Sequence, residues 1–365
     1  MPGEMEWPDR RIIDRIGIAL PIIQAPMAGA GLGALAIAVS EAGGLGSLPC
    51  AMLSAAQTRA ELTNIRRSSA RPIHVNFFCH RAPETQAERE MRWRERLAAL
   101  YDEFGLDREK RTPGASRAPF DAAMCEVVEE FRPEVVSFHF GLPERGLLER
   151  VRATGAKVLS SATTVEEARW LYAEGCDAII AQGFEAGGHR GMFLSNDISR
   201  QVGTMALLPQ VADAVLVPVI AAGGIADGRG IAAAMALGAA AVQIGTAYLL
   251  CPEATVGAWH RDALRQAKDD GTAITNVFTG RPARGFVNRA VRELGPMTDL
   301  TPEFPLAATA MAPLRASAEA RGSGDFSPMW AGQAAPLARE AGAGEVTRRL
   351  AAEALERLKW LGGQR

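Results

Sequence analysis

Short apolar runs recur along this chain with room for one helix between each pair, and that alternation restricts the possible folds more than any other feature. Eight runs have the length and composition of strands: residues 22–25, 45–47, 73–77, 135–138, 157–161, 178–181, 217–222 and 241–244. Helix-like segments at 32–42, 54–68, 120–131, 143–154, 164–174, 204–213 and 228–237 fall between them. Ser54 stands where an N-cap belongs, and Arg71-Pro72 breaks the helix it begins. Strands this short, apolar on both faces, need a parallel sheet covered by helices. Eight such units close an α/β barrel of the TIM (β/α)8 type, with a doubly wound open sheet as the alternative.

Two segments fall outside the repeat, which is otherwise read as one unit over residues 1–365. After the third strand, residues 80–118 carry Trp93, Leu97, Leu100, Tyr101 and Phe104 at helical spacing. They predict an amphipathic helical insertion at the barrel mouth whose charge run is a solvated face. Beyond Leu250 the chain continues for over a hundred residues. Residues 252–345 read as a lid on the substrate side, and 346–365 as a closing helix.

Composition narrows the function classes. With 48% hydrophobic and 22% charged residues a sizeable core is possible, and a net charge of -2 argues against nucleic acid as a partner. Cys50, Cys79, Cys125, Cys176 and Cys251 are odd in number and unpaired in spacing, so reduced thiols in a cytoplasm are expected, with no metal. Residues 231–250 hold no charge over a length that could span a membrane, but Gly238, Gln243, Gly245 and Thr246 interrupt them. A helix followed by a buried strand is the better reading, and no membrane partner is expected. MPGEMEWPDRR has no apolar signal region.

Barrel active sites lie at the C-terminal ends of the strands. That rule selects Ala25, Pro26 and Met27 after the first strand, Asn76 after the third, and His139 after the fourth. It adds Gln182, Gly187, Gly188 and His189 after the sixth, Gly223 and Gly224 after the seventh, and Gln243, Ile244, Gly245 and Thr246 after the eighth. In AIIAQGFEAGGHRG, the paired glycines let the backbone approach a flat ligand, and the His189 imidazole can move a proton near neutral pH. Glycine turns after the seventh and eighth strands, with the Thr246 hydroxyl, make a cradle for one phosphate, which suggests the mononucleotide FMN. The run GAGLGA from Gly29 imitates a dinucleotide fingerprint but lacks the acidic residue about twenty positions on.

At these residues the chain resembles the nitronate monooxygenases, formerly 2-nitropropane dioxygenases, of class I. The resemblance runs from PIIQAPMAG through VNFF, SFHFG, AQGFEAGGHRG, AAGGIADGRG and AVQIGTAYL to TGRPARG and WAGQ. It implies an FMN-dependent barrel enzyme that oxidises alkyl nitronates with O2 to nitrite and a carbonyl compound, with propionate 3-nitronate as the substrate. It places Asn76, Gln182, Gly187, Gly224 and Gln243 to Thr246 at the flavin, with Gln333 of WAGQ nearby. His189 matches the active-site histidine, the base for any neutral nitroalkane, and His139 a second histidine facing the substrate. FSPMWAGQ lacks the tyrosine of some class I members, which leaves the substrate wall open.

An FMN-dependent enoyl-acyl carrier protein reductase, with a similar Gly-Gly-His loop, is the main rival, and a non-catalytic flavin-binding module a second. Inosine monophosphate dehydrogenase would need a cysteine in the sixth-strand loop, where there is none. His74 is expected to be packed in the barrel, His80 to line the mouth, and His260 to be structural. The partners expected are a small substrate and O2, in a monomer or small homo-oligomer.

Overall fold

The computed structural model describes residues 7–84, 86–109 and 117–363. Its strands are β1 (Ile22–Gln24), β2 (Gly46–Pro49), β3 (Ile73–Phe78), β4 (Val135–His139), β5 (Lys157–Ala162), β6 (Ala178–Gln182), β7 (Gly188–His189), β8 (Val219–Ala222), β9 (Ala241–Ile244), β10 (Thr272–Thr275) and β11 (Ala283–Phe286). Its α-helices are α1 (Arg11–Ile16), α2 (Gly33–Glu41), α3 (Ala55–Ser68), α4 (Ala87–Glu103), α5 (Ala122–Phe131), α6 (Arg145–Ala153), α7 (Val165–Ala173), α8 (Thr204–Ala214), α9 (Gly228–Ala236), α10 (Ala258–Arg265), α11 (Arg289–Leu294), α12 (Ala307–Ala320) and α13 (Ala343–Leu361).

Eight strands pair in the order β1-β9-β8-β6-β5-β4-β3-β2, every pair parallel. The ring closes where the Leu45 N–H donates to Ile22 O and the Gln24 N–H to Leu45 O, each at 2.9 Å. This is the TIM-type barrel that the alternation predicts. The seventh barrel strand starts at Val219 and not at 217, because Pro218 has no N–H for a ladder. Ser54 closes a capping box on α3: its Oγ accepts from Gln57 N–H at 3.2 Å, and its own N–H donates to Gln57 Oε1 at 2.9 Å.

The helix that completes the ring comes from the far end of the sequence. α13 packs between α9 and α2 and buries Val346, Leu350, Ala351 and Ala354 in the barrel core. Its Thr347 Oγ1 bonds the buried Tyr248 hydroxyl at 2.9 Å. The segment between β9 and α13 is therefore an excursion from the eighth unit, and it runs over the mouth.

That excursion and the one after β3 fold together. Trp93, Leu97, Leu100 and Tyr101 of α4 bury in a second core with Phe278, Val291, Met311, Leu314 and Phe326. Trp93 Nε1 donates to Ala307 O at 3.4 Å and the Tyr101 hydroxyl to Ala310 O at 2.6 Å. Residues 85 and 110–116 of the expected insertion lie outside the described residues. The uncharged run 231–250 resolves into α9, β9 and a short 3-10 turn, and no described helix is long and apolar enough to cross a membrane.

Candidate active site

A cavity of about 450 Å3 opens at the C-terminal ends of the barrel strands and is roofed by the last excursion. Ala25, Pro26, Met27, Asn76, His139, Gln182, Gly187, Gly188, His189, Gly223, Gly224, Gln243, Gly245 and Thr246 all line it. Two of the residues selected from the sequence do not. Ile244 is buried in the barrel core, because strand alternation turns it away from the side that Gln243 and Gly245 present. Gln333 is exposed: its backbone N–H donates to Glu185 O at 3.0 Å, and Gly332 and Ala334 line the cavity instead.

Beneath the cavity runs a buried polar ladder across β1 to β4. The Ser47 hydroxyl bonds Gln24 O, His74 Nδ1 lies 2.6 Å from Ser47 Oγ, and His74 Nε2 lies 2.5 Å from Ser137 Oγ. Asn76 Nδ2 then donates to Ser137 Oγ at 2.8 Å, which fixes Asn76 at the cavity floor. Burial lowers His74 to about 3, so it is a neutral packing group.

The segment carrying His189 is β7, read from the sequence as a free loop. It pairs antiparallel with β11, Ala283 opposite His189 and Arg284 opposite Gly188, in a three-stranded sheet with β10. Gly188, at φ +74°, takes a left-handed backbone that glycine tolerates. A side chain on Gly187 would lie 2.6 Å from Gly332 N, so the WAGQ loop packs directly on this segment. TGRPARG thus closes over the histidine. Arg281 stacks 4.0 Å above the Phe140 ring, and Arg190, buried, donates to Gln182 O at 2.8 Å and Gly183 O at 2.7 Å.

The His189 carbonyl is held from two sides. Gln182 Nε2 donates to it at 3.0 Å and His139 Nε2 at 3.1 Å, while Gln182 Oε1 accepts from Gly191 N–H at 2.8 Å. His139 Nδ1 lies 3.0 Å from Ser161 Oγ, so protein groups occupy both of its ring nitrogens. His139 thus lines the cavity with both ring nitrogens bonded to protein, one of them to the His189 backbone. The His189 ring sits among Phe78, Phe140, Phe304 and Trp330, with Nε2 2.9 Å from Thr279 Oγ1. Burial first, then the charges of Arg117 and Arg281, hold its pKa well below the usual histidine value. Burial also lowers His139, to about 3. Both imidazoles are neutral at pH 7.

The lining contains no Asp or Glu among the described residues, but it does contain Arg117, Arg315 and His260. These three escape the sequence reading. Arg117 sits at the end of a charge run that looks solvated, yet it is 9% exposed and its Nη1 is buried with no hydrogen-bond partner among the described residues. Arg315 comes from α12, far from any strand end. His260 also has a buried Nε2 with no partner among the described residues, and burial lowers it to about 4. The neighbouring pair Trp259-His260, two bulky side chains in a charged helix, was the available signal. His80 is buried and packs edge-on against Phe304, its ring centroid 4.8 Å away, outside the lining.

The cradle fits a phosphorylated planar cofactor. Gly223 (φ +114°) and Gly224 (φ +71°) turn the backbone after β8, and among the described residues Gln243 Oε1 is buried with no partner and the walls carry positive charge without a carboxylate. Thr246 Oγ1 accepts from Gly332 N–H at 2.9 Å, which leaves its hydroxyl proton for a ligand oxygen.

Known proteins are similar to this chain along most of its length. The sequence pattern of the family described as Nitronate monooxygenase matches residues 9–353. The nitronate monooxygenase of Pseudomonas aeruginosa is 44% identical over 340 residues, 93% of this chain and 97% of that one. The nitronate monooxygenase of Paraburkholderia phytofirmans is 40% identical over 360 residues, 96% of this chain and 97% of its own. Among solved structures, a nitroalkane oxidase from Streptomyces ansochromogenes superposes with a TM-score of 0.87 at 40% identity, covering 96% of this chain and 99% of that chain. FabK from Thermotoga maritima superposes at 0.73 with 28% identity, covering 98% and 99%. The match spans the barrel, both excursions and the histidine segment, and the chain belongs to the nitronate monooxygenase family.

Proposed function

We propose that this enzyme binds FMN and oxidises alkyl nitronates, propionate 3-nitronate among them, with O2 to nitrite and a carbonyl compound. The observation that carries this reading is the cavity's chemistry: a glycine-rich lining that also holds arginine and histidine, with no carboxylate among the described residues. A nitronate is a planar anion, and such a lining favours it over a neutral or cationic ligand.

When bound, FMN accepts electrons from the substrate and passes them to O2. The chain's own residues do the rest. Gly223, Gly224, Gln243, Gly245 and Thr246 would hold the phosphate end, and Ala25, Pro26, Met27, Asn76 and Gln182 the ring end. Phe78 and Trp330 exclude water beside His189, whose neutral ring faces the substrate space. Arg117, whose charge acts on His189, adds positive charge to the same lining. A nitronate is already deprotonated, so its oxidation asks no side chain to remove a carbon-bound proton.

The test is oxygen-dependent release of nitrite from propionate 3-nitronate by the purified protein. Nitrite formation with bound FMN supports the reading. Consumption of NAD(P)H with an enoyl thioester and no nitrite would replace it with the reductase reading, and a flavoprotein inert to both would leave a binding module.

A further inference from the structure

His189 has two ring nitrogens, and protein accounts for one. Nε2 lies 2.9 Å from Thr279 Oγ1, whereas Nδ1 has no hydrogen-bond partner among the described residues, on a ring that lines the cavity. Thr279 is 1% exposed. Among the described residues, His189 Nε2 is the acceptor available to its hydroxyl. A buried hydroxyl proton left undonated is costly, so the O–H points at the Nε2 lone pair. A neutral imidazole that accepts at Nε2 carries its hydrogen on Nδ1. His139 is wired the other way: its Nε2–H donates to a carbonyl and its Nδ1 accepts from the Ser161 hydroxyl.

We propose that Thr279 is a positioning residue that fixes His189 as the Nδ1–H tautomer, so that His189 meets the substrate as a hydrogen-bond donor and not as a base. The proposal rests on the nitronate reading above, because a substrate oxygen carrying negative charge is what an N–H in a water-poor cavity stabilises. It replaces the expectation that His189 removes the α-proton of a neutral nitroalkane, since the Nδ1 lone pair that role needs is absent.

The fold places Thr279 for this purpose. It precedes Gly280 (φ +88°) in the turn between β10 and β11, and a side chain at Gly280 would run into Pro302 O. β11 then pairs with β7, Ala283 opposite His189, and the Arg190 N–H donates to Pro282 O at 2.9 Å. The TGRPARG segment thereby fixes the imidazole through its hydroxyl and the histidine's backbone through its ladder.

The test reads the tautomer directly. Flavin-loaded protein labelled with 15N in its histidines is examined by long-range 1H–15N correlation, and the His189 signals are identified by their loss in His189→Asn. The expected pattern is a protonated Nδ1 with an unprotonated Nε2. A protonated Nε2 in the wild type overturns the proposal, whether or not any variant folds. Thr279→Val should mix the two tautomers and raise KM for the nitronate about tenfold, with kcat less affected. Thr279→Ser should restore both. A valine variant with wild-type tautomer and KM also overturns the proposal. A protein that shows the Nδ1–H form but turns over no nitronate contradicts the proposed function and leaves the tautomer assignment standing.

Discussion

His139 Nε2 donates to the backbone carbonyl of His189 at 3.1 Å, so one buried imidazole sets the position of the other through its main chain. His139→Ala removes one of the two donors to that carbonyl and leaves Gln182 as the other. A lost buried hydrogen bond of this kind is worth about 1–2 kcal/mol, so kcat/KM should fall about tenfold while flavin content stays near wild type. Steady-state kinetics beside the flavin-to-protein absorbance ratio checks this. Unchanged kinetics would leave His139 a packing residue.

Gly187 and Gly188 should respond differently to alanine. At Gly187 a Cβ meets Gly332 N at 2.6 Å and Ala331 C at 2.7 Å, both backbone atoms that cannot swing aside. Overpacking there should cost about 2–3 kcal/mol. At Gly188 no atom lies within 4 Å, and the cost is the left-handed φ of +74°, about 1–2 kcal/mol. Urea unfolding of the two variants tests the order, and an equal or smaller loss for Gly187→Ala contradicts the close approach of the two loops.

Glu167 is buried on α7 and accepts from Thr163 N–H at 2.6 Å, Thr163 Oγ1 at 2.7 Å and Phe193 N–H at 2.6 Å. It therefore ties the end of β5 to the chain leaving His189. Glu167→Ala should destabilise by about 3 kcal/mol, since several buried donors lose their acceptor at once. Denaturant midpoints at constant m-value measure this.

Acid should weaken the fold before its carboxylates titrate. Burial depresses His74 and His139 to about 3 and His80 and His260 to about 4, and His189 lies well below its usual value. The unfolded chain binds protons at these histidines near pH 6.5 while the folded chain does not. The stability they contribute is thus complete above pH 6.5 and is lost as pH falls towards 3–4, at up to about 1.4 kcal/mol per pH unit for each group. Urea midpoints from pH 7.5 to 5 should fall. A flat profile would mean that these histidines are protonated in the native state.

Much of this architecture is legible in the residues. The barrel reads well because its strands are short apolar runs, most of them with Gly, Pro or Ser close by, so the expected runs 22–25, 73–77 and 241–244 fall within a residue of the observed strands. Most of the rim follows from it, because a strand's C-terminal end is known once the strand is. What stays hidden depends on tertiary partners. Ile244 and Gln243 are adjacent, and only the observed pleat says which one faces the cavity. β7 is two residues long and exists through its pairing with β11 nearly a hundred positions away, and Arg117 is buried through contacts its own segment does not announce.

The most direct measurement is the absorption spectrum of the purified protein, followed under anaerobic mixing with propionate 3-nitronate and, separately, with NAD(P)H. The account predicts a yellow protein that releases FMN on denaturation, is bleached promptly by the nitronate, and recovers its colour on admission of O2. Prompt bleaching by NAD(P)H with none by the nitronate, or a colourless protein that FMN does not reconstitute, would contradict it.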